Sequence, residues 1–231
     1  MACPVSVRAQ GQPTASQVIV RENKTVDALR AYDNDANFTK FDLRDRSVKG
    51  TPFLNRRWVR MDVQLSGNQK LTDVPAKYDA YRRELRIQRP KGDSIIIEPR
   101  MVQQFVMHDL TTTGPVDRLF LRFPKLADPK MAAEYFEVLY DKNGVQILKL
   151  SRKSLQKGNT DAAYGGAMQN DRYEDKTEYY ARVNEAATLQ PLKLSAKSVG
   201  GIGPEWQKAV SSYGNPIRSE EELRTFLQQL P

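Results

Sequence analysis

Val59-Arg60-Met61-Asp62-Val63-Gln64-Leu65 reads as one strand of a half-buried sheet. Val59, Met61, Val63 and Leu65 alternate with Arg60, Asp62 and Gln64, and a period of two puts the four apolar side chains on one face and the polar ones on the other. Segments of the same kind follow at 77–81, 84–88, 94–98, 102–108, 118–123, 135–140 and 145–150. Pro90-Lys91-Gly92-Asp93 and Asp141-Lys142-Asn143-Gly144 join neighbouring pairs, and Asn143-Gly144 supplies the positive φ that tight hairpins require. Helices that would carry crossovers between parallel strands are missing from this stretch. The pattern therefore predicts a mainly β chain, an antiparallel meander forming a barrel or a sandwich, with a short C-terminal helical pair.

On either side of that core the text is less regular. Residues 10–40 read as an N-terminal tail, with a short strand at Val18-Ile19-Val20 and a brief helix carrying Val26, Leu29 and Tyr32 on one face. The β domain is expected over 41–200. Within it, 157–175 is rich in Gly, Asn and Ala around Gly165-Gly166 and reads as a long mobile loop. Tyr179, Ala181 and Val183 then share a strand face, and Leu192, Leu194 and Ala196 share another, the two pairing across 185–191. Residues 201–231 read as two helices packed on the β domain. Pro204 suits a first helical position, Trp206, Ala209, Val210 and Tyr213 form a stripe, and Gly214 closes the helix. Ser219-Glu220-Glu221-Glu222 is a capping box ahead of Leu223, Phe226, Leu227 and Leu230 at helical spacing. Trp58 and Phe226 are expected in the core, where truncation of an aromatic costs about 3–5 kcal/mol.

The chain has 231 residues, 39% hydrophobic and 28% charged, long enough for one sizeable core. No window reaches the roughly 18 consecutive apolar residues that a spanning helix needs. Peripheral membrane association stays open. The charge of +8 comes from 36 Lys and Arg against 28 Asp and Glu. Most of those cations are interleaved with acids, as on solvated strand faces, so nucleic acid is not an expected partner. The one cysteine, Cys3, excludes an internal disulfide framework and a cysteine-ligated zinc site. Residues 1–9 read as the remnant of a secretory signal, with Val7-Arg8-Ala9 as the small-x-small cleavage pattern and Gln10 first in the mature chain.

Catalytic patterns are weak. His108 is the sole histidine and Gly-x-Ser-x-Gly is absent, which leaves no Ser-His machinery unless His108 is its base. Asp33-Asn34-Asp35-Ala36-Asn37 begins like a calcium loop, but Phe38 and Arg44 stand where glycine and glutamate are required. Gly200-Gly201-Ile202-Gly203 matches no phosphate-binding spacing and reads as a linker. Glu174, Asp175 and Glu178 are the carboxylates a hydrolase would use. No cofactor and no metal site is expected. The ligand or partner surface is expected at tyrosines near cations, namely Tyr78 and Tyr81 with Arg82, and Tyr179 with Tyr180, which suit stacking on sugars, bases or peptide side chains. Tyr135 and Tyr140 form a similar pair.

Gly50-Thr51-Pro52-Phe53-Leu54-Asn55 with Trp58, Val74-Pro75-Ala76-Lys77-Tyr78-Asp79, Glu84-Leu85, Gly92-Asp93-Ser94-Ile95 and Tyr135-Phe136-Glu137-Val138-Leu139-Tyr140 together resemble uncharacterised secreted proteins of the Bacteroidota, over residues 41–230. That resemblance implies an extracytoplasmic location, in the periplasm, on the outer surface or secreted, and carries no activity. The resulting expectation is a non-enzymatic exported envelope protein that binds or scaffolds an envelope protein or a surface polymer such as a polysaccharide. The alternatives are a β-barrel carrier of a small apolar ligand and a carboxylate-based hydrolase.

Overall fold

The computed structural model describes residues 38–39, 48–111, 114–158 and 170–230. The features expected over 1–37 and at the glycine-rich centre of 157–175 lie outside the described residues. The chain is mainly β, as its alternation predicts. Its strands are β1 Phe38–Thr39, β2 Val59–Leu65, β3 Lys70–Asp79, β4 Glu84–Gln88, β5 Ser94–Ile97, β6 Val102–Thr111, β7 Gly114–Leu121, β8 Phe136–Lys142, β9 Val145–Gln156, β10 Arg172–Val183 and β11 Gln190–Leu192. They form one antiparallel sheet in the order β1-β5-β4-β3-β2-β6-β7-β8-β9-β10-β11.

That order is two meanders side by side, β2 to β5 and β6 to β11. In a flat sheet the four spacings from β5 to β6 would set Ile97 and Val102 about 19 Å apart across the strands. The five residue steps between them reach at most about 18 Å when fully extended. They are not extended, since Pro99–Met101 is a 3-10 turn. The sheet must therefore roll. Consistent with this, side chains from β2 to β7 meet in one core that includes Met61, Tyr78, Ile87, Ile97, Phe105, Phe120 and Tyr135. The Phe105 and Phe120 rings stack at 4.6 Å. The Tyr135 hydroxyl donates to the Pro99 and Val102 carbonyls at 3.1 and 3.2 Å, and the Arg122 guanidinium donates to Pro99 at 2.6 Å, so the tight return is pinned. The roll is open, because β5 pairs on its far side with β1.

The second meander is covered on both faces. Val145, Ile147, Ala181 and Leu192 pack against the C-terminal helices. Phe136, Leu148 and Leu150 on the other face pack beneath Phe123, Leu126 and the one-turn helix α1, Pro129–Ala132. The β8–β9 hairpin turns at Asn143 and Gly144, with φ of 51° and 73°, the positive pair that Asn-Gly favours. Three helices follow, α2 Ala196–Gly200, α3 Pro204–Tyr213 and α4 Glu220–Gln228. Gly214 closes α3 in the left-handed region, and the Ser219–Glu222 capping box opens α4.

Several boundaries differ from expectation. Residues 172–175, expected in the mobile loop, belong to β10, where they pair with 153–156 of β9. Phe38–Thr39, expected in the tail, is a strand, and the helical layer begins at Ala196 rather than at 201. Ala196 is helical because the Ser195 hydroxyl caps the Ser198 amide at 3.2 Å and draws the chain out of the strand. Trp58, expected in the core, is half-exposed on the outer face of the roll, whereas Phe226 is 1% exposed.

Candidate functional site

The five residues expected to bind a ligand separate into three environments. Tyr78 shares parity with Val74 and Ala76 on β3, so it points into the roll and is 1% exposed. Its ring lies 5.4 Å from Phe105 and 5.6 Å from Tyr135. Burial pushes its hydroxyl well above the ordinary tyrosine range, and that hydroxyl has no hydrogen-bond partner among the described residues. Tyr78 is a core residue, which corrects its assignment as a surface ligand contact. Tyr179 is also removed from the surface set. It shares parity with Ala181, faces the helices and donates to Glu220 at 2.8 Å.

Tyr81 and Arg82 do form a surface, together with Tyr173. The β3–β4 turn is built on Asp79, whose carboxylate accepts the Tyr81 and Arg82 amides at 3.0 and 2.8 Å and the Arg82 guanidinium at 3.1 Å. Arg83 closes the turn with φ of 63°. The turn meets the second meander where the Lys153 amide donates to the Ala80 carbonyl at 3.3 Å. Across that seam the Tyr81 and Tyr173 rings stand edge to face at 5.3 Å, and the Arg82 guanidinium lies 5.3 Å from the Tyr81 ring. Gly50 allows this approach. Its φ is +87°, and a Cβ there would sit 3.4 Å from the Tyr173 carbonyl, while Lys49 exchanges backbone bonds with Asp171 and Tyr173.

The charges along the seam are paired. Glu134 takes Arg83 at 3.4 Å and Arg152 at 3.1 Å, and Arg152 also reaches Glu178 at 2.9 Å. Tyr180 joins through its hydroxyl, which donates to Glu178 at 3.3 Å. Lys153 pairs with Asp175, and Arg172 pairs with Glu174. The carboxylates considered for hydrolysis are thus each committed to a cation, and Asp175 has the opposite parity to Glu174 and Glu178 on β10. His108 takes no part. It lies on another face, with Nδ1 2.8 Å from Asp117 and Nε2 3.6 Å from Asp62, and the Asp117 hydrogen bond raises its pKa.

No protein family matches the chain. No curated protein and no solved structure matches it at a significant level.

A second polar centre, which the sequence does not announce, lies under α4. Glu137 is 1% exposed and accepts Arg118 at 2.8 and 3.1 Å and Arg224 at 2.6 Å. Burial alone would push its carboxyl up, but Arg118, Arg224 and Lys149 hold it below the ordinary range. Glu220 on α4 completes the network, with Lys149 at 2.6 Å, the Tyr179 hydroxyl at 2.8 Å and Arg224 at 2.9 Å. Burial opposes ionisation of Glu220, yet those hydrogen bonds bring its pKa to about 2. A carboxyl depressed on folding contributes stability above its unfolded pKa, near 4.3, and loses that contribution as pH falls toward the folded value. Urea midpoints measured from pH 6 down to pH 3 are expected to fall more steeply for the wild type than for Glu220→Gln. Parallel curves would remove Glu220 from the acid response.

Proposed function

We propose that this chain is an exported, non-enzymatic binding module whose Tyr81–Tyr173 seam engages a surface polysaccharide. The observation that carries the reading is the edge-to-face tyrosine pair, half-exposed, with the Arg82 guanidinium over the Tyr81 ring. Aromatic rings offer a flat apolar face to the C–H side of a sugar, and planar guanidinium and carboxylate groups suit adjacent hydroxyls. Because the cations are already paired with carboxylates, recognition rests on stacking and hydrogen bonds, and salt should affect it little.

A carrier of a small apolar molecule would need an apolar cavity inside the roll. The interior is instead occupied by Met61, Tyr78, Ile87, Phe105 and Phe120, all at most 1% exposed. A cavity of about 440 Å³ lies elsewhere, between β11 and α2, lined in part by Pro191, Lys193, Ser195 and Lys197.

Affinity electrophoresis of the full chain through gels holding a panel of neutral and acidic surface polysaccharides tests the reading. At least one polymer should retard the protein, with little change on adding salt. An aromatic stacking contact of about 1–3 kcal/mol corresponds to a loss of roughly ten-fold or more for Tyr81→Ala or Tyr173→Ala. Retardation that is unchanged in both variants, or absent with every polymer, would contradict it.

A further inference from the structure

The cavity of about 440 Å³ between β11 and α2 falls within the range of small-molecule sites, roughly 300–1,000 Å³, which combine apolar walls with a few converging polar groups. Ala181 and Leu192 supply a buried apolar lining and Ile202 a half-buried one, all three belonging to the core beneath the helices. Lys193 and Lys197 line the same cavity and are exposed. Backbone contacts bring them together. The Lys193 amide donates to the Ser198 hydroxyl at 3.0 Å and the Ser195 amide to the Lys193 carbonyl at 2.8 Å, which folds the start of α2 back onto residue 193. No carboxylate is in the lining, and neither lysine forms an ion pair among the described residues.

Two serines add donors of a second kind. The Ser195 oxygen accepts the Ser198 amide at 3.2 Å and the Ser198 oxygen accepts the Lys193 amide, but neither hydroxyl donates to another of the described residues. Each therefore keeps a proton to give. The cavity presents two ammonium groups and two hydroxyls beside an apolar wall, with no acidic group to receive them.

We propose that this cavity binds a small amphipathic carboxylate, whose charged head meets Lys193 and Lys197 and whose apolar tail lies against Leu192 and Ile202. An ionised carboxylate only accepts, and its two oxygens can take a lysine ammonium and a serine hydroxyl together. The tail is stabilised in proportion to the apolar area it removes from water. A bare sulfate or phosphate would leave that apolar wall wet. Recognition is by side chains, because the Ser198 amide is consumed by the Ser195 cap and α2, of five residues, is too short to supply an end charge. Free acids and the C-terminus of a peptide ending in an aliphatic residue share this chemistry. The site uses neither Tyr81 nor Tyr173 and lies outside the filled roll, so it stands independently of the polysaccharide reading.

The test is a titration of the full chain with sodium hexanoate, followed by amide NMR shifts, against sodium acetate and hexanol at matched ionic strength. Hexanoate should give saturable shifts centred on residues 190–202. Acetate lacks the tail and hexanol the charge, so each should bind several-fold more weakly. Both lysines are exposed, so Lys193→Gln and Lys197→Gln should fold as the wild type does while each weakens hexanoate by about five-fold, the scale of one exposed charge pair. Lys208→Gln, an exposed cation of α3 outside the lining, should change nothing. A short peptide ending in leucine that binds more tightly than hexanoate, and loses that affinity when its C-terminus is amidated, would identify a polypeptide end as the source; weaker binding would identify a free acid. Hexanol binding as tightly as hexanoate, the absence of a saturable shift, shifts centred elsewhere, or affinity undiminished when both lysines are replaced overturns the assignment.

Discussion

Replacing Glu137 with alanine is expected to lower the unfolding free energy by about 3–5 kcal/mol, the cost of stranding buried charge when one partner of a buried ion pair is removed. Glu137 is 1% exposed and is the shared acceptor of Arg118, Arg224 and Lys149. Without it, three cations from β7, β9 and α4 face one another with, among the described residues, only Glu220 and Asp109 left to balance them. Arg224→Met should cost much less, because Arg224 is 37% exposed and water replaces part of what it loses. Urea unfolding curves of the two variants check this, with the midpoint falling far more for Glu137→Ala. Equal midpoints would mean that water already reaches the cluster and that α4 is held by its apolar face alone.

Phe226→Ala is expected to cost a similar amount, about 3–5 kcal/mol, through lost burial and the cavity left behind. Phe226 is 1% exposed, and its ring lies 5.2 Å from Tyr213 and 6.2 Å from Trp206, so it is the centre of the packing between the helices and the sheet. Trp58→Ala provides the contrast. Its half-exposed ring contributes mainly a contact with the Lys77 ammonium, worth about 0.5–2 kcal/mol. Thermal melts should show a large drop in Tm for Phe226→Ala and a small one for Trp58→Ala. The reverse order would place the core on the other side of the first meander.

Trp58 illustrates how far the sequence is legible. It directly precedes the alternation of β2, and parity with Arg60 already puts it on the polar face; its aromatic character suggested burial, and the register wins. The same rule applied to Val74, Ala76 and Tyr78 would have sent Tyr78 inward. Regular alternation made β2, β4 and the first half of β9 readable, and specific capping chemistry made both ends of α3 and the start of α4 readable. The first half of β3 was hidden for a physical reason. A register shift between Met61 and Val63 leaves both Leu71 and Val74 buried, and Asp73 takes a positive φ, so the period of two fails there. The roll was not readable either, since it follows from a strand order that places β6 beside β2.

Of the candidate site, only Tyr81 and Arg82 could be found from local pattern. Tyr173 lay in a stretch whose Gly- and Asn-rich neighbours made it look like loop, and the pairing of β10 with β9 extends the strand through it. The Glu137 network draws on residues as far apart as 109 and 224, and no local period links them.

Hydrogen–deuterium exchange of the full chain, with and without a polysaccharide that retards it, tests the central claim most directly. Added polymer should slow exchange in the β3–β4 turn at 80–83 and in the first residues of β10 at 172–175, while the groove between β11 and α2 and the β6–β7 hairpin stay unchanged. Protection confined to either of those other regions, or none at the seam, would contradict the assignment of the Tyr81–Tyr173 pair as the binding surface.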